Sequence, residues 1–152
     1  MIEFYYDKVK EVADSSDLIF CNEDEAELFA KKGSKDMEVN SLAIHQLLKP
    51  NDNRLIIVTC GKDPVVITKY DSKNNHLEYV IKQFVPLVRS EDIVDTNGCG
   101  DCNIIYKWLA FVGGFLSEYI QGKSLTCCAN SGNLAASIII KNIGCTFEKS
   151  NI

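Results

Sequence analysis

Apolar residues at Ile2, Phe4, Tyr5, Val9 and Val12 recur at close to helical spacing and predict a helix over about Ile2–Val12. The polar run DSSD, Asp14–Asp17, breaks that pattern, and LIFCN then predicts a buried strand over Leu18–Cys21. A second helix is predicted from Glu23 to about Lys32, stopped by Gly33, and a third, SLAIHQLL, capped by Asn40 or Ser41 and ended at Pro50. LIIVTC, Leu55–Cys60, is a continuous apolar run of the kind buried in a parallel sheet. Gly61 turns the chain, VVITKY pairs back, and the cluster Asp71–Asn75 turns it again into HLEYVIKQF. A further strand is predicted around Phe84–Val88, then helices over roughly Ala110–Gln121 and Leu125–Lys141, with Gly144 as the stop of the last. Strands alternating with helices predict an α/β fold, a mostly parallel sheet with helices on both faces. A helix running straight into a strand at the start reads as the interior of such a fold.

Composition narrows the class. The 152 residues are 46% hydrophobic and 24% charged, as in an ordinary globular domain. A net charge of −5, with no Lys/Arg cluster, argues against nucleic acid. Apolar runs such as SIII at Ser137–Ile140 are too short to span a bilayer, and the charged N-terminus does not read as a signal peptide. The seven cysteines read as reduced thiols, and His45 and His76 as lone surface residues.

The richest chemistry lies in DTNGCGD, Asp95–Asp101. Gly98 and Gly100 free the backbone to turn successive N–H groups toward an anion. A helix starting just after them adds its positive N-terminal potential at the same place. A carboxylate at Asp101 is then positioned to take a proton from an alcohol while the N–H groups hold phosphate charge. Taken alone, Asn-Gly is an ordinary turn; the whole string is far more specific.

DTNGCGD and, after a gap, AFVGGFL resemble the signature of the ribokinase-like family of carbohydrate and nucleoside kinases. Three further segments follow the family's order: CNEDEAELFA with Asn22 and Glu25, VTCGKDPVVI with Thr59 and Gly61, and SGNLAASIIIKNIGCTFEK near the end. The last is similar to the adenosine-phosphorylating branch of the family. The resemblance covers nearly the whole chain, but only the C-terminal half of the family's pattern. It implies a Rossmann-type three-layer fold and ATP-dependent phosphorylation of adenosine to AMP in purine salvage, with Mg2+. It implies Asp101 as the base, the N–H groups of Gly98, Cys99 and Gly100 as the anion hole, and Asn22 and Glu25 in a water-mediated Mg2+ network. Thr59 and Gly61 would lie along the ATP phosphates and ribose, and Asn133 and Ala136 would border the adenine. It further implies a cytoplasmic protein, also nuclear, that is monomeric at full length.

Each segment has a plainer explanation. NEDEAE is also an acidic first helical turn, TCG a strand end and ANSGNLAAS simple helix packing; their joint order favours the kinase. The sequence departs from the family pattern at Cys102–Leu109, eight residues inserted between DTNGCGD and AFVGGFL. As helix, the insert adds about two turns and moves Gly113 and Gly114 by about 12 Å, removing the close helix–strand packing they permit unless it loops out. It also reads as a retained intron, since Cys-Asn can encode a GTAA donor and Leu-Ala a TAG acceptor. One partial domain, 1–152, is expected, with acceptor-binding residues outside it. Three rival functions stay open: another sugar or nucleoside kinase of the family, a non-catalytic nucleotide-binding fragment, and a redox or zinc site built on Cys99 and Cys102 with Cys127 and Cys128.

Overall fold

The structure, a computed structural model, describes residues 4–85 and 100–141, the latter with side chains over 106–139. The expected strand at Phe84–Val88 and the stop at Gly144 fall outside these residues, except that Phe84 and Val85 are not in a strand. The chain forms two compact units, Met1–Phe84 and Val85–Ile152.

The first unit is α1 (Tyr6–Asp14), β1 (Leu18–Asn22), α2 (Glu23–Ala30), α3 (Met37–Leu47), β2 (Leu55–Cys60), β3 (Asp63–Asp71) and β4 (His76–Gln83). Its sheet runs β1-β2-β3-β4. β1 and β2 are parallel, from Leu18 opposite Leu55 to Asn22 opposite Thr59, while β3 and β4 are antiparallel to their neighbours. The α/β class is as expected; the pairing among the described strands is mixed. The core joins Cys21, Ile56, Val58 and Val66 of one sheet face to Ala13, Ala26, Phe29, Ile44 and Leu48 of the three helices. β2 is buried on both faces, because Leu55 and Ile57 are as inaccessible as Ile56 and Val58.

Two helix starts differ from the sequence reading. α1 begins at Tyr6 and turns Tyr6, Val9 and Ala13 to the core, an i, i+3, i+7 set. Phe4, Tyr5 and Val12 of the expected apolar face are 86%, 61% and 69% exposed. The α3 cap is Asp36, whose carboxylate accepts from the Glu38 N–H, and not Asn40 or Ser41. Those two are fully buried inside the helix, where the Asn40 amide donates to Ser34 O.

His45, expected at the surface, is 3% exposed on α3, within 3.3 Å of the Thr68 hydroxyl and stacked on Tyr70. His76 is exposed as expected. Burial lowers the His45 pKa from 6.5 to about 4, with Arg54's charge adding and Thr68 opposing. Between those values the unfolded chain binds a proton that the folded one refuses. Stability is therefore complete above pH 6.5 and falls as the pH drops toward 4, by up to about 3 kcal/mol. Urea midpoints between pH 7.5 and 4.5 should show this slope, and His45→Leu should flatten it.

The second unit pairs α4 (Gly100–Tyr119) with α5 (Leu125–Lys141) across a turn in which Gly122 has φ +72. α4 starts ten residues before the expected Ala110 and runs unbroken through 102–109, so the insert extends the helix and does not loop out. Within this unit Gly114 packs against the other helix. A Cβ on Gly114 would lie 2.6 Å from Ser131 O and 3.0 Å from the Gly132 Cα, so this is a helix–helix crossing. Gly132 in turn faces Phe111, and Phe111 and Phe115 fill the interface around it. At Gly113 a Cβ would meet open space among the described residues. Gly114→Ala should therefore cost about 1–3 kcal/mol by forcing the helices apart. Gly113→Ala should instead stabilise the fold through helix propensity, by up to about 1 kcal/mol, and so raise the melting temperature. Thermal melts of both variants check the contrast. No described helix is long and apolar enough to cross a membrane.

Candidate functional site

Two parallel strands end side by side at Asn22 and Thr59, register partners at the C-terminal ends of β1 and β2. In open α/β sheets that end is where ligands are held. The chain enters α2 directly from Asn22, whose side-chain oxygen accepts from the Glu25 N–H at 2.8 Å. Glu25 returns the bond, its Oε2 accepting from the Asn22 N–H at 3.0 Å. This capping box is a structural reason for the N-x-x-E spacing, and it engages one of the two Glu25 carboxylate oxygens. The Thr59 hydroxyl donates to Cys21 O, tying the two strand ends together.

Gly61 follows with φ +55, a left-handed turn that glycine adopts without strain. A Cβ there would lie 3.7 Å from Glu23 Oε1. The first turn of α2 and the β2–β3 turn thus approach each other, and four of the sequence-predicted residues, Asn22, Glu25, Thr59 and Gly61, fall at one end of one sheet. Sequence reasoning passed over Glu23 at this place; its position directly after Asn22, opening the helix, was the available signal. An open cleft of about 570 Å³ adjoins it, lined by six acidic residues, Glu23, Asp24 and Asp63 among them, and by Lys35 and Lys82, which are ion-paired to Glu27 and Glu38.

Cys60 also lines the cleft, but burial, then Glu23 and Asp63, push its thiol up to about 11. Burial holds the Cys21 thiol higher still, with the Glu25 charge adding. Neither is a thiolate at neutral pH. Among the described residues no three His, Cys, Asp or Glu side chains converge as metal ligands, and Cys127 is exposed while its neighbour Cys128 is buried. Cys99 and the side chain of Cys102, the other members of the suggested zinc site, lie outside the described residues.

The other predicted residues belong to the second unit. Gly100 is the first residue of α4 and Asp101 the second, and residues 86–99 before them lie outside the described residues. Gly98 and Cys99, and the side chain of Asp101, lie outside the described residues. Asp101 stands about 20 Å along the helix axis from the Gly114 crossing, and the insert accounts for about 12 Å of that. On α5, Asn133 is buried and Ala136 half-buried, on either side of Ala135, which faces Gly114.

Residues 3–151 match the family described as pfkB family carbohydrate kinase. The chain belongs to the pfkB family. Its relatives include adenosine kinase 1 of Arabidopsis thaliana, 35% identical over 97% of this chain and 40% of that protein. Adenosine kinase of Dictyostelium discoideum is 30% identical over 99% of this chain and 41% of its own length. Among solved structures, Anopheles gambiae adenosine kinase in complex with P1,P4-di(adenosine-5) tetraphosphate superposes with a TM-score of 0.76 at 34% identity, covering 99% of this chain and 42% of that one. Schistosoma mansoni adenosine kinase in complex with 2-fluoroadenosine gives 0.71 at 26% identity, over 97% and 41%. This pfkB-family chain thus spans about two fifths of the length of the relatives it matches.

Proposed function

We propose that this chain is the C-terminal, nucleotide-binding part of an adenosine kinase, which transfers the γ-phosphoryl group of ATP to the 5′-hydroxyl of adenosine. One observation carries the reading: Asn22, Glu25, Thr59 and Gly61 meet at the C-terminal ends of the parallel strands β1 and β2, in a chain that matches the pfkB family over 3–151. The names of its relatives supply the acceptor.

In this mechanism the Gly61 turn and Thr59 lie along the ATP phosphates, and Asn133 and Ala136 border the adenine. Asp101 takes the proton of the 5′-hydroxyl as its oxygen bonds to the γ-phosphorus and the bond to ADP breaks. The N–H groups of Gly98, Cys99 and Gly100 hold the charge on the transferring group, backed by the N-terminus of α4. Mg2+, when bound, neutralises charge on the β- and γ-phosphates. The donor set fits contact through water: Mg2+ prefers oxygen ligands and retains several waters, and the cap leaves Glu25 a second carboxylate oxygen. The wider assignment is a purine-salvage enzyme of the cytoplasm and nucleus, monomeric when complete.

The test uses a complete kinase carrying residues 1–152 with Cys102–Leu109 removed, assayed with labelled ATP and Mg2+ against adenosine, ribose and fructose. AMP and ADP should form in equal amounts, with adenosine the strongly preferred acceptor. Preferential phosphorylation of a sugar would move the chain to another branch of the family. Nucleotide binding with no transfer to any acceptor would make it a non-catalytic binder.

A further inference from the structure

Asn22 and Thr59 end neighbouring parallel strands, and the segments that leave them meet at Glu23 and Gly61. Glu23 opens α2, and its Oε1 lies 3.7 Å from where a Cβ on Gly61 would stand. Among the described residues it is the one atom outside the turn that such a Cβ would meet within 4 Å. The side chain is half-buried, and no described residue forms an ion pair with it within 4.0 Å. The two lysines of the adjoining cleft are engaged elsewhere, Lys35 with Glu27 and Lys82 with Glu38. Lys62, next in the turn, is exposed and forms no ion pair among the described residues. Asp24 and Asp63 are exposed, where water and salt screen their charge. Glu23 is thus a sheltered carboxylate, not neutralised, set against the turn.

Its field reaches the residue between Thr59 and Gly61. After burial, Glu23 is the largest influence that pushes the Cys60 thiol up to about 11. In the function proposed above, the Gly61 turn lies along the ATP phosphates, and the present inference rests on that reading. A carboxylate without a counter-charge repels a phosphate chain in proportion to the charge the chain carries. Bound Mg2+ cancels two of the roughly four negative charges of ATP, so the same carboxylate repels the complex about half as strongly. Affinity depends exponentially on that energy, so the penalty on free ATP is about the square of the penalty on the complex.

We propose that Glu23 is a specificity-determining residue of this site: its carboxylate, held against the Gly61 turn, discriminates against uncomplexed ATP in favour of the magnesium complex. It acts through its charge alone, with no bond to the nucleotide or to the ion. That separates its part from those of Thr59 and Gly61, which lie along the phosphates, and of Glu25, whose second oxygen faces the magnesium network through water. Selection at binding keeps the site from filling with nucleotide that lacks the cation needed for transfer.

The experiment titrates ATP calorimetrically into a complete kinase carrying residues 1–152 with Cys102–Leu109 removed, with no acceptor present, once in excess Mg2+ and once in EDTA. Glu23→Gln should tighten the binding of free ATP by about 10-fold and of the magnesium complex by about threefold. Glu23→Ala should do the same, because only the loss of charge matters, and Glu23→Asp should keep the original preference. Each gain should shrink as added salt screens the carboxylate. Tighter binding is a result that a damaged fold does not produce. An unchanged ratio of the two affinities in Glu23→Gln would overturn the proposal. So would weaker binding of the magnesium complex alone, the mark of a residue that holds the ion through water. If the unsubstituted protein binds both forms and the ratio does not move, this inference alone falls. If it binds neither form, the nucleotide-site reading falls and takes this inference with it.

Discussion

Asp101→Asn, in a complete kinase carrying residues 1–152, is expected to lower kcat by several orders of magnitude while ATP affinity stays within about twofold. Asparagine preserves shape and hydrogen-bonding reach at the N-terminus of α4 but cannot take up the hydroxyl proton. The backbone groups of the glycine-rich turn are untouched, so the nucleotide has no reason to leave. The substitution should be made in two versions, with and without Cys102–Leu109. α4 is continuous from Gly100 to Tyr119, so the insert places Asp101 about 12 Å farther along the axis from the Gly114 crossing than the uninterrupted signature would. Phosphoryl transfer depends on positioning to within fractions of an ångström. The version without the insert is therefore the one expected to phosphorylate adenosine, and the one in which Asp101→Asn has its full effect. Steady-state kinetics with labelled ATP and equilibrium ATP binding read the two halves of the expectation. Equal activity of both versions would show the insert to be harmless, and full activity of Asp101→Asn would remove Asp101 as the base.

Arg54→Met should destabilise the first unit by about 4 kcal/mol, a large share of the 5–15 kcal/mol that holds a typical domain folded. Arg54 is 1% exposed and forms no ion pair within 4.0 Å among the described residues. Its guanidinium instead donates to three backbone carbonyls: Nε to Ser16 at 3.0 Å, Nη1 to Lys49 at 2.8 Å and Nη2 to Asp14 at 3.1 Å. Asp14 closes α1, and Lys49 lies just past the Leu48 cap of α3, so one side chain satisfies a free carbonyl at the end of α1 and ties it to the segment leaving α3. Burial lowers the Arg54 pKa, with Asp14 and Asp17 opposing, but the group keeps its charge throughout the accessible range. Methionine fills the volume of the stem and leaves the carbonyls without a donor. Lysine keeps the charge but has no planar fork, so Arg54→Lys should recover less than half of the loss. Urea unfolding followed by circular dichroism measures both; a loss below about 1 kcal/mol for Arg54→Met would show that water replaces the guanidinium.

Local order decided what could be read directly from the sequence. LIFCN and LIIVTC are apolar enough to be strands wherever they are placed, and α5 runs from Leu125 to Lys141 as expected because small and apolar residues continue without a breaker. The motif residues Asn22, Glu25, Thr59 and Gly61 were legible as an ordered set, since each sits at or just beyond the end of a strand that its own segment specifies. What periodicity could not supply was which side of a helix meets the core. α1 turns Tyr6, Val9 and Ala13 inward and leaves Phe4, Tyr5 and Val12 in solvent, because packing against β1 and α2, not local spacing, sets its rotation. His45 and Arg54 are polar residues that only tertiary partners can bury: a hydroxyl and a ring for the first, three carbonyls for the second. Gly114 is the same case in backbone form. Its sequence context shows that a close approach is permitted, while the identity of the approaching segment, α5 at Ser131 and Gly132, is decided by a helix that folds back and not by any neighbour in sequence.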